Sequence, residues 1–144
     1  MILYLDTSAL VKLYVAEPGS TAVKDWVNAV EVVATSAVAY PEMRAAVARR
    51  QREGDLTPRD VSRIKTALLS DWEHLLIIAM TTTVTLLAGD VAEDYALRGM
   101  DAVHLASALW LERHQSDGIT FGGWDARLTA AAQRAGLDVA ASAL

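Results

Sequence analysis

Short apolar runs alternate with helical segments along the chain, and this alternation most constrains its fold. The run Ile2–Asp6 predicts a buried strand. Further strands are predicted at 32–34, 76–80, 119–121 and 139–141. Helices are predicted between them, at 8–16, 21–29, 36–53, 58–73, 83–97, 101–114 and 126–135. Strands that alternate with helices form a parallel sheet with helices on both faces. We therefore predict a three-layer α/β/α fold with a central, mostly parallel sheet, as one domain over residues 1–144.

Turn and cap residues set the predicted ends of the helices. Pro18-Gly19 ends the first helix, and Ser20 is predicted to cap the second. Pro41 indicates either a kink in the long helix or a true start near residue 40. Thr57-Pro58 places a cap and then a proline at the start of the next helix.

Composition narrows the class of protein. The chain has no cysteine, which excludes disulfides, thiolate metal sites and a thiol nucleophile. With 144 residues, 53% of them hydrophobic, it can bury a single core without such links. Its first residues lack the pattern of a signal peptide, and its longest uncharged segment, 75–89, is too short and too polar to span a bilayer. We therefore expect a cytoplasmic protein with no membrane partner.

The net charge of −5 argues weakly against broad, nonspecific binding of nucleic acid, because that mode of binding depends on lysine and arginine. A metal ion held by acidic residues would reverse the charge locally. The acidic balance also suits a basic partner.

Four acidic residues are placed where such a fold can direct them into one cleft. Asp6 and Asp125 follow predicted strands, Asp101 opens a helix, and Glu42 lies in the first turns of its helix if that helix starts near Tyr40. Ligands of open α/β sheets bind beyond the carboxyl ends of the strands. Converging carboxylates repel one another, and hard divalent cations such as Mg²⁺ take oxygen ligands. The pattern predicts metal-assisted chemistry at phosphate, although each acid taken singly also suits a helix cap or a turn.

Basic and aromatic residues near these acids are further candidates. Lys12 is expected at the rim of the cleft, and Arg49 shares a helix face with Glu42, about 10 Å along the axis. Both are candidate contacts to phosphate, and a solvated basic face is the alternative for Arg49. His104 can touch substrate or a carboxylate, and the interpretation we favour is packing beneath the site. Trp110 lies in an apolar stripe that a homodimer would bury.

Three segments and the Glu42 helix occur in one order that resembles a known family. The segments are LYLDTSAL at 3–10, GMDAVHLASA at 99–108 and FGGWDARL at 121–128. Together they resemble the PIN-domain ribonucleases, most closely the VapC-like toxins of prokaryotic toxin–antitoxin pairs, over nearly the whole chain. One departure is Gly123, where many relatives have a hydroxyl residue two positions before the last acid. We therefore expect Asp125 to be a weaker or water-mediated ligand compared with Asp6 and Asp101.

The resemblance implies a PIN-like domain that acts as an endoribonuclease with Mg²⁺ or Mn²⁺. Asp6, Glu42, Asp101 and Asp125 match the acids that hold the metal in the family. Thr7 and Ser8 match the polar pair beside the first acid and are expected to orient its carboxylate.

The partners that the resemblance implies are an RNA substrate and a small antitoxin. We expect the antitoxin to insert an arginine or lysine side chain at the acidic site, because an arginine fork fits paired carboxylates.

Two alternatives stay open from the sequence. A phosphatase of the haloacid-dehalogenase kind would use Asp6 as its nucleophile, but it would need a second Asp where this chain has Ser8. A noncatalytic PIN-like module would only bind protein, and the presence of all four acids argues against it.

Overall fold

The computed structural model describes residues 1–141, and its strands form one parallel sheet. The strands are β1 Ile2–Leu5, β2 Val32–Ser36, β3 Leu76–Ile78, β4 Ile119–Gly122 and β5 Asp138–Val139. Their order across the sheet is β3-β2-β1-β4-β5. The central strand β1 pairs with β2 on one side and with β4 on the other. The predicted parallel sheet is confirmed, and residues 142–144 of the predicted domain lie outside the described part.

Helices cover both faces of the sheet. They are α1 Thr7–Leu10, α2 Ser20–Asn28, α3 Ala39–Arg52, α4 Pro58–Trp72, α5 Thr82–Tyr95, α6 Gly99–Arg113 and α7 Ala126–Arg134. Successive side chains of a strand point to opposite faces. Ile2 and Tyr4 therefore pack with α5, α6 and α7, whereas Leu3 and Leu5 pack with α1 to α4. This arrangement confirms the predicted three layers.

The first predicted helix, 8–16, differs most from the structure. It is the short helix α1 followed by a 3-10 turn, Val11–Leu13. The predicted cap Ser20 is instead the first residue of α2, and Gly19 caps that helix with φ 96°. The Ser20 hydroxyl donates to Val15 O and accepts from Glu17 N, so it holds the preceding loop instead of the helix end.

Gly19 also lies against an aromatic ring. A Cβ at this position would come within 2.6 Å of the Trp124 side chain, so this approach is open only to glycine. Tertiary packing, which the local sequence does not reveal, therefore decides where α2 begins.

The remaining boundaries agree with the prediction to within a few residues. The long predicted helix 36–53 starts at Ala39, so Pro41 lies in its first turn, where a missing N–H costs little. Thr57 caps α4 as predicted and forms a capping box with Asp60. The predicted strand 76–80 ends at Ile78. Within residues 1–141, no helix is long and apolar enough to cross a membrane.

Candidate active site

Asp6 lies at the carboxyl end of the central strand and is almost fully buried, with 2% of its surface exposed. Its Oδ1 caps α1 by accepting from Ala9 N at 2.9 Å and from Ser8 Oγ at 2.7 Å. Its backbone N–H donates to Gly122 O at the end of β4. The carboxylate is therefore held where β1 and β4 end together.

Ser8 also connects Asp6 to the loop that carries Asp125. The Ser8 hydroxyl donates to Asp6 and accepts from Trp124 N at 3.0 Å. Asp125 is exposed and caps α7, because its Oδ1 accepts from Leu128 N at 3.0 Å. One hydroxyl thus fixes the distance between the first acid and the loop of the last.

Glu42 enters the site from the first turn of α3. Thr7 Oγ1 donates to its Oε1 at 2.6 Å, and His104 Nε2 lies 2.9 Å from the same oxygen. Thr7 is predicted to orient Asp6, but in the structure its hydroxyl bonds to Glu42. Thr7 and Ser8 therefore hold two different acids.

His104 forms a buried chain of contacts that the sequence analysis only partly anticipates. It is 2% exposed, its Nδ1 lies 2.8 Å from the Tyr4 hydroxyl, and the fully buried Tyr4 ring stacks on Phe121. Packing beneath the site is thus observed together with contact to a carboxylate. The contact between Tyr4 and His104 is not predicted from the sequence. Its one signal in the sequence is a hydroxyl-bearing side chain within an otherwise aliphatic strand.

Burial and mutual repulsion perturb these acids. Burial is the main cause that raises the pKa of Asp6, and the charge of Asp101 raises it further. Burial also raises the pKa of Asp101, with added repulsion from Asp125 and Glu42. Burial likewise opposes ionisation of Glu42, but the hydrogen bonds from His104 and Thr7 outweigh it and lower that pKa. Asp101 therefore lies within electrostatic reach of the other three acids.

The donor chemistry of this group fits a hard divalent cation, because the candidate ligands are carboxylate oxygens. Among residues 1–141, no three acidic, histidine or cysteine side chains are already arranged to hold one ion together. Glu42 Oε1 and Asp125 Oδ1 are engaged by protein donors. Ion binding would therefore use the other oxygen of each of these two carboxylates and relieve the repulsion between the acids.

Gly123 leaves little space beside Asp6. A Cβ at this position would lie 3.1 Å from Asp6 Oδ2, 3.0 Å from Phe121 and 3.2 Å from Thr129 Oγ1. The hydroxyl that the family resemblance leads one to expect at position 123 would therefore crowd the first acid. The hydroxyl of Thr129, from α7, lies on the same side of that carboxylate.

The two basic candidates differ in their surroundings. Lys12 is 8% exposed, its Nζ lies 2.8 Å from Glu17 Oε1 and 5.1 Å from the centre of the Trp124 ring. Glu17 also pairs with Arg50, so its one negative charge is shared between two cations. Arg49 is exposed and lines a surface groove of about 340 Å³ that begins at Glu42.

Comparisons with known proteins identify the family to which this fold and site belong. The family model for the PIN domain matches residues 3–132. Ribonuclease VapC49 of Mycobacterium tuberculosis strain H37Rv is 38% identical over 143 residues, which is 99% of this chain and 97% of that protein. Ribonuclease VapC47 of strain CDC 1551 is 32% identical over 124 residues, covering 83% of this chain and 84% of the relative. The chain belongs to the PIN-domain family, among the relatives of the VapC ribonucleases.

Solved structures with low sequence identity support the same fold. FitAcB from Neisseria gonorrhoeae matches with a TM-score of 0.69 at 19% identity, covering 99% of this chain and 98% of that chain. VapBC2 from Rickettsia felis, bound to a DNA fragment from its promoter, matches with a TM-score of 0.60 at 15% identity, covering 87% and 100%.

Proposed function

We propose that this chain is an endoribonuclease that depends on Mg²⁺ or Mn²⁺, and that it is the toxin of a toxin–antitoxin pair. The observation that carries the proposal is a PIN fold in which Asp6 follows β1, Thr7 bonds to Glu42, and the charge of Asp101 acts together with those of Asp6, Glu42 and Asp125. RNA as the substrate is supported by relatives named ribonucleases that this chain matches over nearly its full length. An antitoxin partner is supported by the match to VapBC2.

The acids have distinct parts in this proposal. Asp6 and Asp101 are the main ligands, because both are at least partly buried and their pKa values are raised by burial and by repulsion that a cation relieves. Glu42 is a third ligand, and the exposed Asp125 completes the group from α7. When bound, the divalent ion supplies stabilisation of negative charge on the phosphate and makes water easier to deprotonate. The hydrogen bonds from Ser8 and Ala9 use only Oδ1 of Asp6, and its Oδ2 lies on the side of Gly123.

Arg49 is the candidate contact to a neighbouring phosphate of the RNA. The groove that it lines starts at Glu42 and continues along α3 to Arg52, so a strand cut at the acids would pass two guanidinium groups. Lys12 is a weaker candidate, because its ammonium is buried and paired with Glu17. Removal of Arg49 should raise KM and leave kcat nearly unchanged.

The antitoxin would block the site by charge. An inserted arginine or lysine side chain takes the place of the cation between Asp6 and Asp101, and the fork of an arginine can bond two carboxylate oxygens at once. Recovery of no small partner encoded beside this chain in a pull-down would contradict the toxin assignment and leave the nuclease assignment open.

A homodimer is the proposed assembly. Trp110 lines an apolar pocket of about 300 Å³ together with Leu76, Ile77 and Ile78 of the edge strand β3. A second copy would cover this surface. Size-exclusion chromatography with light scattering should give the mass of a dimer, which the substitution Trp110→Ala shifts toward the monomer.

Cleavage of RNA by the purified chain, freed of any partner, tests the proposed function. We expect cleavage with Mg²⁺ or Mn²⁺, none with EDTA, and a loss of at least about tenfold in Asp6→Asn and Asp101→Asn. Asp117→Asn is the matched control, because Asp117 is exposed and precedes the amino end of β4, whereas the proposed site lies at the carboxyl ends of the strands. Equal activity of wild type and Asp101→Asn would overturn the assignment. A folded chain that binds protein but never cuts RNA would support the noncatalytic alternative.

A further inference from the structure

His104 is surrounded by hydrogen-bonding groups on both ring nitrogens, although it is buried within the core. Nε2 lies 2.9 Å from Glu42 Oε1 and 3.0 Å from Thr7 Oγ1, and Nδ1 lies 2.8 Å from the Tyr4 hydroxyl. Its ring also contacts the edge of the Tyr4 ring, with 5.9 Å between centroids. The roles proposed above for the four acids assign no part to His104, Thr7 or Tyr4.

The partners determine which ring nitrogen carries hydrogen. Glu42 Oε1 is a carboxylate oxygen and can only accept, and the single hydroxyl hydrogen of Thr7 is already donated to that oxygen at 2.6 Å. Two acceptors therefore face Nε2, so Nε2 must donate. Nδ1 is then free to accept from the Tyr4 hydroxyl. The contacts form one ordered chain, from Tyr4 through His104 to Glu42.

We propose that His104 is a positioning residue that holds the Glu42 carboxylate for the acidic site, with Tyr4 fixing the orientation of its ring. Oε1 of Glu42 takes the bonds from His104 and Thr7, which leaves Oε2 for a cation or its water. The inference rests on the proposed function and deepens it, because it assigns a role to two buried residues outside the four acids. Loss of a hydrogen-bond partner of a metal ligand typically costs about 10–100-fold in affinity or activity.

The position of the hydrogen is measurable without RNA. In protein labelled with ¹⁵N at histidine, we expect the Nε2 of His104 to show the signal of a protonated nitrogen coupled to its hydrogen. The exposed His74 provides the reference signal of a solvated ring. A His104 whose Nε2 carries no hydrogen would overturn the proposal, because such a nitrogen cannot donate to Glu42.

Binding of Mn²⁺, followed by calorimetry, tests the consequence for the site. We expect His104→Leu to weaken Mn²⁺ binding by about 10–100-fold, and His104→Gln, whose amide can replace the Nε2 donor, to weaken it less. Tyr4→Phe, which keeps the ring stacked on Phe121, should fall between wild type and His104→Leu. His74→Leu is the control and should bind as wild type does. Unchanged binding in His104→Leu would overturn the inference.

Kinetics separate this inference from the proposed function. Because His104 acts through Glu42, His104→Leu should lower kcat by about 10–100-fold with little change in KM. A wild type that cleaves no RNA contradicts the proposed function, while the hydrogen position and Mn²⁺ binding still test His104. A wild type that cleaves RNA no faster than His104→Leu contradicts the positioning role alone. If His104→Leu fails to fold, Tyr4→Phe and His104→Gln carry the same comparison.

Discussion

Asp6 uses its two carboxylate oxygens for different purposes. Oδ1 accepts from Ser8 and Ala9 and thereby caps the short helix α1. Oδ2 lies on the side of Gly123, where a Cβ would come within 3.1 Å of it. One residue thus ends the central strand, starts a helix and presents an oxygen to the site. Such combined roles explain why a cap and a ligand are hard to distinguish from the sequence.

Substitution of Asp125 by Asn should reduce cleavage less than substitution of Asp101. Asp125 is exposed, and its Oδ1 accepts from Leu128 N, a cap that asparagine can also form. Asp101→Asn removes a charge from a half-buried position, so we expect a loss of at least about tenfold there. The measurement is kcat/KM on one RNA in Mn²⁺. A larger loss in Asp125→Asn would contradict the proposed ranking.

Gly123→Ala should disturb the site by crowding. The added methyl would lie 3.0 to 3.2 Å from three neighbouring atoms, one of them Asp6 Oδ2. Overpacking of this kind costs about 1–3 kcal/mol, and displacement of Asp6 should also weaken Mn²⁺ binding. Gly89→Ala is the matched control, because no atom lies within 4 Å of a Cβ added at Gly89. Gly89 lies inside the helix α5, where alanine is favoured over glycine. That control should increase stability by about 0.5–1 kcal/mol in urea unfolding.

At the scale of elements, the loop between the 3-10 turn and α2 is held by a group of charges. Glu17 bridges Lys12 and Arg50, which joins the loop to α3. The same loop carries Gly19, which lies against the Trp124 ring beside Asp125. Trp124 also packs on Trp26 of α2, with 5.8 Å between ring centroids. By packing against Trp124, the loop therefore supports the position of Asp125 and of α7.

Glu17→Gln should destabilise the protein at neutral pH, by about 1–3 kcal/mol, because it leaves the buried ammonium of Lys12 without a charged partner. Burial opposes ionisation of Glu17, but the hydrogen bonds and charges of Lys12 and Arg50 outweigh it and lower the pKa below the ordinary 4.5. A lowered pKa in the folded state means that the contribution is complete above pH 4.5 and is lost as pH falls through the folded value.

Urea unfolding of wild type and Glu17→Gln at several pH values tests this. The stability difference should be constant near neutral pH and shrink below pH 4.5 as wild-type Glu17 becomes protonated. Glu53→Gln, an exposed acid at the end of α3, serves as the control and should show little difference at any pH. A difference for Glu17→Gln that does not depend on pH would show that the charge of Glu17 is not responsible.

Local patterns predict the elements of this fold well, and they predict contacts between elements poorly. Alternation of apolar runs and helices is a local property, so the sheet and its layers follow from it. The placement of Asp6, Asp101 and Asp125 at element ends follows in the same way. The bond from Tyr4 to His104 joins residues 100 positions apart, and no periodicity reports it. The same limit explains the misassigned cap at Ser20, where packing of Gly19 on Trp124 decides the start of α2.

At the scale of the whole molecule, the acids link stability to metal. Burial and repulsion disfavour their charged forms, as the raised pKa values of Asp6 and Asp101 indicate. A cation that binds only the folded chain would add roughly 2.7 kcal/mol to the free energy of unfolding when its concentration is about a hundredfold above its dissociation constant. In EDTA, Asp6→Asn and Asp101→Asn should therefore melt at or above the temperature of wild type.

In saturating Mn²⁺ the difference in melting temperature between the variants and wild type should narrow or reverse in sign, because the variants bind the ion poorly. Melting curves of wild type and variants, with and without Mn²⁺, give the comparison. If the acids served only as caps, their replacement would have the same effect in both conditions. A wild-type melting temperature that ignores millimolar Mn²⁺ would show that the four acids do not form the proposed site.

The central position of β1 has a consequence for folding while the protein is being synthesised. Ile2 pairs with Val32 on one side and with Ile119 on the other, and Asp6 N bonds to Gly122 O. A ribosome makes β1 before it makes the second neighbour of that strand, β4, which starts only at Ile119. Because contacts between distant parts of a chain form late, the proposed site at the end of β1 is complete only after β4 and Asp125 have emerged. The cell that synthesises this nuclease is therefore spared its activity until that part of the chain has been made.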